Sequence, residues 1–418
     1  MPPFLFAAAL PEKLLEKGRY CAIIMDTKTR KEPALSGRSH QSMNRRINMI
    51  NKERLLSHFL EYVQIDSETK HEAAMGRRVA DDLRALGLEV VTDKAGETFG
   101  SDGFNVLARF PGELPGEPML LSAHMDTVVP GNGVKPQIID GVISTDGTTV
   151  LGGDDKSGVC GIIEAVRIIL ENGLPHRSAE LLFSIGEEGG MRGAKAFDAS
   201  LLKSKCGYIF DSSGAPGKII VQAPGQMKID ANVIGKRAHA GLAPEQGISA
   251  IQVAAKGVAA MNLLRIDEET TCNIGTFTAD FATNIVPDKV HIFGEIRSRN
   301  YDKLIAQAEH MRDCLQKACD EAGAKLECEL ITNYVSYKID EDSEFIGFLK
   351  RAIEKIGAAP LVTAGGGGSD ANIWNQKGIP SVVLGTGMTK VHTTEETLKI
   401  KDLEDTARLA LALLTMEQ

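Results

Sequence analysis

The 418-residue chain contains no unbroken run of about 18 apolar residues, so it offers no membrane-spanning helix. It has seven cysteines, an odd number, and no CxxC pair among them. That usage reads as reduced, mostly buried thiols of a cytoplasmic protein and excludes a disulfide framework. Positive charge is in deficit, with 47 Lys+Arg against 56 Asp+Glu and a formal net charge of -9. Phosphate backbones are bound by clustered cations, so nucleic acid is not an expected partner. The GxxxxGK[ST] pattern is missing, which leaves Gly365–Gly368 without a P-loop reading. What is present is 43% hydrophobic and 25% charged residues, a globular composition with material for two or three domains.

Residues 1–10 (MPPFLFAAAL) are apolar but lack the positive leading region of a secretory signal. Residues 26–48 are basic and polar, with no apolar period. Residues 1–48 are therefore expected to form a poorly structured N-terminal extension.

From residue 49 onward the pattern is regular. Leu55, Leu56, Phe59, Leu60 and Val63 recur at helical spacing, as do Val79, Leu83 and Leu86, with Gly87 as a stop signal. Short apolar runs at 88–91, 104–110, 119–123, 181–185 and 208–210 alternate with a helix over about 156–171. Nearly continuous apolar strands alternating with helices predict an α/β fold whose sheet is mostly parallel and covered on both faces. Over 222–336 the order changes to strand 226–235, helix 248–261, strands 272–279 and 289–298, helix 301–322 and strand 325–335. That β-α-β-β-α-β order is ferredoxin-like. Helix 343–356, strand 381–384 and helix 402–416 then resume the first style. The expected organisation is one domain from 49–221 and 337–418, with 222–336 inserted.

Chemistry-bearing residues follow the apolar runs, where open α/β sheets place ligand sites. The run 119–123 leads to His124-Met125-Asp126, 181–185 to Gly186-Glu187-Glu188, and 208–210 to Asp211. Leu151-Gly152-Gly153 delivers Asp154-Asp155-Lys156 ahead of a helix, and 381–384 leads to His392. Each piece alone has a plain structural explanation: a surface pair, a solvated loop, a helix cap. Together they supply two imidazoles and several carboxylates at one sheet edge, a donor set suited to borderline divalent metals and free of thiolate. In His-x-Asp, Asp126 can accept the second ring N–H of a ligating His124. Asp154 or Asp155 can bridge two ions. Of Glu187 and Glu188, which point to opposite sides if the chain is extended, one can ligate and one can act as a base.

The ordered set HMDT (124–127), GGDDKSG (152–158), GEEGG (186–190), FDSSG (210–214) and VHTTEE (391–396) resembles the M20 family of dinuclear zinc aminoacylases and peptidases, most of all its peptidase T (tripeptide aminopeptidase) branch. The resemblance covers 49–418. It implies that 222–336 is a lid domain of a kind that often makes homodimers. It implies one zinc held by His124, Asp154 and Asp211 and a second by His392, Glu188 and Asp154, with cobalt or manganese as substitutes. The Asp154–Asp155 peptide is expected to be cis, Glu187 to be the general base, and Asp126 to orient His124. From the inserted segment, His239, Arg297 and Asn284 are expected to reach the substrate, Arg297 by pairing with its carboxylate. The glycine-rich 365–368 loop is expected to give backbone contacts. The function implied is hydrolysis of short peptides, tripeptides foremost. N-acyl-amino-acid deacylase, dipeptidase and a non-catalytic binding protein of the same fold are the alternatives.

Overall fold

A computed structural model describes residues 49–417; the extension expected over 1–48 lies outside them. The central sheet has nine strands. Its order is Glu89–Thr92, Val106–Phe110, Arg177–Ser184, Leu114–His124, Cys206–Ser212, Ser381–Gly385, Lys218–Ala223 and Tyr337–Lys338, with Leu361–Ala364 also pairing Lys218–Ala223. The four strands from Arg177–Ser184 to Ser381–Gly385 run parallel, and the pairings on either side of them turn antiparallel except that of Leu361–Ala364 with Lys218–Ala223, which is parallel. The parallel block is the part that carries His124, Glu187, Asp211 and His392 at or just beyond its carboxyl ends.

Alternation along these strands sends neighbouring side chains to opposite faces. Leu120, Leu182 and Ile209 pack with Trp374 and Phe197 on one face. Phe210 lies against Gly158 of helix Gly153–Asn172 on the other. That helix is the spine of the second face: Ile162, Ile163, Val166 and Ile169 are fully shielded, and helices Lys52–Val63 and Ile400–Thr415 pack on it. Its last turn ends at Gly173 in the left-handed conformation, as the sequence suggests.

The inserted segment forms a five-stranded antiparallel sheet in the order Leu264–Arg265, Thr270–Thr278, Lys289–Ser298, Gly225–Ile234, Lys325–Tyr334. Helices Ala250–Ala259 and Tyr301–Ala322 cover one face of it, around Ile229, Val233, Ile292, Leu304 and Leu315. Both helices open on a side-chain cap: Ser249 accepts from the N–H of Gln252 and Asn300 from that of Lys303, each worth about 1 kcal/mol. The other face, carrying Gln226, Lys228, Glu295 and Arg297, turns to a cavity shared with the central sheet. A further four-stranded sheet of two- and three-residue strands (137–139, 142–144, 388–389 and 397–399) ties the final segment to the loop before residue 150. Among the described residues no helix is long and apolar enough to cross a membrane.

Candidate active site

The site begins with a turn that only glycine permits. Gly152 has φ 72°, and a Cβ on Gly153 would lie 2.9 Å from Oε1 of Glu396. These two residues let the chain pass close under Glu396 and enter the helix with Asp154 and Asp155 still non-helical. The Asp154–Asp155 peptide is cis. The two carboxylates then part company. Asp155 turns inward, accepting the backbone N–H groups of His124 (3.2 Å) and Gly158 (3.3 Å). Asp154 turns outward to the two histidines, with Oδ1 3.1 Å from Nε2 of His124 and Oδ2 3.4 Å from Nε2 of His392.

Around Asp154 the remaining donors converge. Nε2 of His124 is also 3.5 Å from Oδ1 of Asp211, and Nε2 of His392 is 2.9 Å from Oε1 of Glu188. Ligand atoms of His124, Asp154 and Asp211 all lie within 4.8 Å of one another, and so do those of Asp154, Glu188 and His392. A third such group joins His124 to Glu187 and Glu188. The structure thus brings together His124, Asp154, Glu187, Glu188, Asp211 and His392, with Asp154 common to two groups.

His124 meets Asp126 at a different atom from the one expected. Nδ1 of His124 is 2.9 Å from the backbone carbonyl oxygen of Asp126 and 3.5 Å from its Oδ1. The Asp126 carboxylate instead accepts the N–H groups of Glu187 (2.9 Å) and Glu188 (3.2 Å) and the hydroxyl of Thr69 (2.7 Å). It fixes the turn that presents both glutamates. That turn, in which the Glu187 carbonyl accepts from Gly190 and Met191, is not extended. Both glutamates therefore line the same cavity rather than opposite sides of the chain.

The electrostatics are those of a concentrated acidic cluster. Burial and the nearby charge of Asp211 push Glu187 well above the usual carboxyl range. Burial, with Asp154 and Glu188 adding to it, raises Asp211 to about 7. Burial would lift Asp154 too, but hydrogen bonds from both histidines hold it below its ordinary value. Asp154 and Glu188 in turn raise His392 to about 10. Burial opposes charge on His124, and hydrogen bonds to Asp126, Asp154 and Asp211 outweigh it and hold the imidazole well above its ordinary value. With Nδ1 donating to a carbonyl oxygen, a neutral His124 presents an acceptor at Nε2 to the acceptor oxygens of Asp154 and Asp211. Acceptors facing acceptors repel unless a proton or a cation lies among them. The donor set therefore fits divalent cations on its own chemistry.

The cavity has a volume of about 680 Å³. Its far wall belongs to the inserted sheet, where Arg297 is fixed by Glu295: Nε to Oε1 at 3.0 Å and Nη2 to Oε2 at 3.2 Å. The loop 364–369 closes a third side. His239 and Asn284 are not among the lining residues. His239 is exposed, its Nδ1 accepting from the N–H groups of Gly241 and Leu242 (3.1 Å each), and Asn284 sits beside it, its carbonyl accepting from Ala240.

Two residues to which the sequence alone assigned no role emerge here. Glu396, 2% exposed, accepts three backbone N–H groups: Leu151 (2.8 Å), Gly152 (2.9 Å) and Asp154 (2.9 Å). It joins the segment bearing His392 to the turn bearing Asp154. Its only sequence signal is its place four residues after His392. Glu295 is the second; its spacing two residues before Arg297, on the same strand face, was the available signal.

A family model described as peptidase family M20/M25/M40 matches residues 120–416. The protein YqjE of Bacillus subtilis (strain 168) is 42% identical over 366 residues, covering 88% of this chain and 99% of that one. The crystal structure of aminopeptidase PepT from Bacillus cereus ATCC 10987 superposes with a TM-score of 0.82 at 44% identity, covering 88% of this chain and 99% of that chain. That of a tripeptidase from Staphylococcus aureus subsp. aureus Mu50 gives 0.85 at 40% identity with the same coverage. With its catalytic-type cluster spanned by the family model and relatives at 40% identity or more along nearly their whole lengths, the chain is a peptidase-type enzyme and belongs to peptidase family M20/M25/M40.

Proposed function

We propose that this enzyme is a two-cation aminopeptidase that removes the first residue of short peptides, tripeptides above all, with zinc as its metal. The observation that carries the reading is the sharing of Asp154 between two convergent donor groups in a cavity whose opposite wall holds Arg297. His124, Asp154 and Asp211 would hold one cation; Asp154, Glu188 and His392 would hold the other. When bound, such a pair polarises a scissile carbonyl and acidifies water.

The chain's own groups do the rest. Glu187 takes a proton from the attacking water on its carboxylate and delivers it to the leaving amine nitrogen. Its burial beside Asp211 raises its pKa, the direction a base working near neutral pH requires. Asp126 keeps Glu187 and Glu188 in place through their backbone N–H groups. Arg297 takes the terminal carboxylate of the peptide on the edge of its guanidinium that Glu295 leaves open. His239 and Asn284 reach the substrate only if the inserted sheet closes toward the cluster or a second subunit supplies them. We include in this reading a lid at 222–336 between catalytic segments 49–221 and 337–418, a homodimer through that lid, and a cytoplasmic setting, for which the six described free cysteines speak.

A substrate panel tests it. Purified protein is given a tripeptide, a dipeptide and an N-acetyl amino acid, each with and without chelator. Chelator-sensitive hydrolysis of the tripeptide, fastest of the three, is expected. Fastest turnover of the N-acetyl amino acid or the dipeptide would replace the proposal with a deacylase or a dipeptidase.

A further inference from the structure

The cavity is electrically two-ended. Its central-sheet end carries Asp154, Glu187, Glu188 and Asp211, with Lys218 tied to the Ser213 carbonyl, and its inserted-sheet wall carries Arg297 and Lys228 beside Glu295. Those cations are not equivalent. Arg297 is neutralised by Glu295, whose Oε2 also accepts from Nε2 of Gln226 at 2.6 Å. Lys228 stands directly across the strand pair from Glu295, yet no carboxylate among the described residues lies within 4.0 Å of its Nζ. Glu295 has been drawn aside to Arg297 and Gln226. The next acid along the strand of Lys228, Asp230, is taken by His291 at 2.9 Å. The partner that Lys228 does have is a ring: Nζ lies 5.7 Å from the centroid of Phe293.

A second cation stands nearby on the central-sheet side. Lys195 donates to Oδ1 of Asn333 at 2.5 Å, and Asn333 donates to Oε1 of Gln226 at 2.6 Å. Burial, with Arg192 and Lys228 adding repulsion, lowers Lys195 to about 8. Asp370 and Glu187 act on Lys195 only at a distance, and among the described residues no carboxylate forms an ion pair with Lys195 or Lys228, so this stretch of wall keeps unpaired positive charge.

We infer that Lys228 forms a subsite for an acidic side chain, so that the enzyme favours short peptides with Asp or Glu on the C-terminal side of the bond cleaved. This rests on the reading of the cavity as a peptide site with the terminal carboxylate at Arg297. Lys228 and Arg297 lie two residue pairs apart along the sheet, since Arg297 faces Gln226 and Glu295 faces Lys228. Two residues along a strand span about 7 Å. A Lys side chain covers the remainder, so one peptide residue can offer its terminal carboxylate to Arg297 and its side-chain carboxylate to Lys228.

The test compares Ala-Ala-Glu, Ala-Ala-Ala and Ala-Ala-Lys as substrates of the zinc-loaded full chain. It uses wild type, Lys228→Met and Lys228→Glu. In wild type, kcat/KM for Ala-Ala-Glu is expected to exceed that for Ala-Ala-Lys by about tenfold, the size of one charge-assisted contact on a half-buried wall. Lys228→Met should bring the ratio within about twofold of unity, and Lys228→Glu should invert it, because only the sign of one charge changes. Binding of the same peptides to Glu187→Gln protein is measured alongside by calorimetry. If no peptide is turned over but binding keeps a Lys228-dependent preference for the acidic one, the aminopeptidase reading falls and the subsite stands. If wild type treats the three peptides alike in turnover and in binding, or the ratio survives both substitutions, the subsite is overturned.

Discussion

Glu396 touches none of the convergent donor atoms, so it acts on cation binding through the backbone it holds and through its charge beside Asp154. Its carboxylate is buried and accepts the N–H groups of Leu151, Gly152 and Asp154 at 2.8–2.9 Å. Glu396→Ala leaves three donors in a space closed to solvent. Each unmade bond costs about 1–3 kcal/mol. A water entering the vacated volume can accept two of them at about 1 kcal/mol of immobilisation, so the loss falls to about 2–4 kcal/mol. That energy holds the turn carrying Asp154 in place before any cation arrives, so in the variant each binding event must order the turn itself. Cation affinity should then drop about 30- to 1000-fold, at 1.4 kcal/mol per tenfold. Both equivalents should weaken, because Asp154 belongs to both donor groups. Glu396→Gln, which keeps the shape but turns one N–H toward another, should fall between wild type and the alanine variant. The assay is calorimetric titration of metal-free protein with zinc. Two equivalents binding to Glu396→Ala with wild-type affinity would show that Glu396 does not preorganise the Asp154 turn.

Three further outcomes are expected. Glu187→Gln should keep its cations in the same titration while kcat falls by about 10²–10⁴, the range for a lost general base; a matching loss of zinc would make Glu187 a ligand instead. Arg297→Met should raise KM for tripeptides by about tenfold or more with a smaller change in kcat, as removal of uniform binding does, and an unchanged KM would remove Arg297 from substrate recognition. Asp370 is buried, one of its oxygens has no partner, and burial raises it to about 6 against about 3.9 when unfolded. A carboxyl group raised in the folded state contributes stability that is complete below the unfolded pKa and disappears as pH climbs through the folded one. The stability of metal-free wild type relative to Asp370→Asn should therefore decline between about pH 4 and pH 7. The total decline should be on the order of 3 kcal/mol, since each tenfold change in proton affinity is worth about 1.4 kcal/mol. Denaturant melts at intervals across that range measure it, and a flat or rising difference contradicts it.

Much of the site could be read in the sequence because its residues sit where apolar strands stop. His124, Glu188 and Asp211 each follow a run whose burial is dictated by composition, and a parallel block sends those ends to one edge. What could not be read depends on closure in three dimensions. Glu396 looks like the second of two solvated glutamates until a loop more than 240 residues earlier brings three N–H groups to it. The role of the Asp126 carboxylate depends on where the 186–190 turn passes, and that turn also cancels the strand alternation expected of Glu187 and Glu188. The strands at Lys218–Ala223 and Leu361–Ala364, and the sheet built from 137–144 with 388–399, are too short for any period to emerge. By contrast, the inserted elements were legible nearly to the residue, since ten-residue alternating strands and a 22-residue helix leave long signals. His239 and Asn284 carry no local pattern that relates them to the cavity.

If the cluster around Asp154 works as proposed, it seats two cations without which peptide hydrolysis does not occur. The direct measurement is titration of metal-free protein with zinc while tripeptide hydrolysis is followed in the same vessel. Activity should rise from nothing and level off at two equivalents per chain, and Asp154→Asn should abolish the rise. Full activity in the presence of a strong chelator, or none after two equivalents are bound, would rule out a two-cation hydrolase.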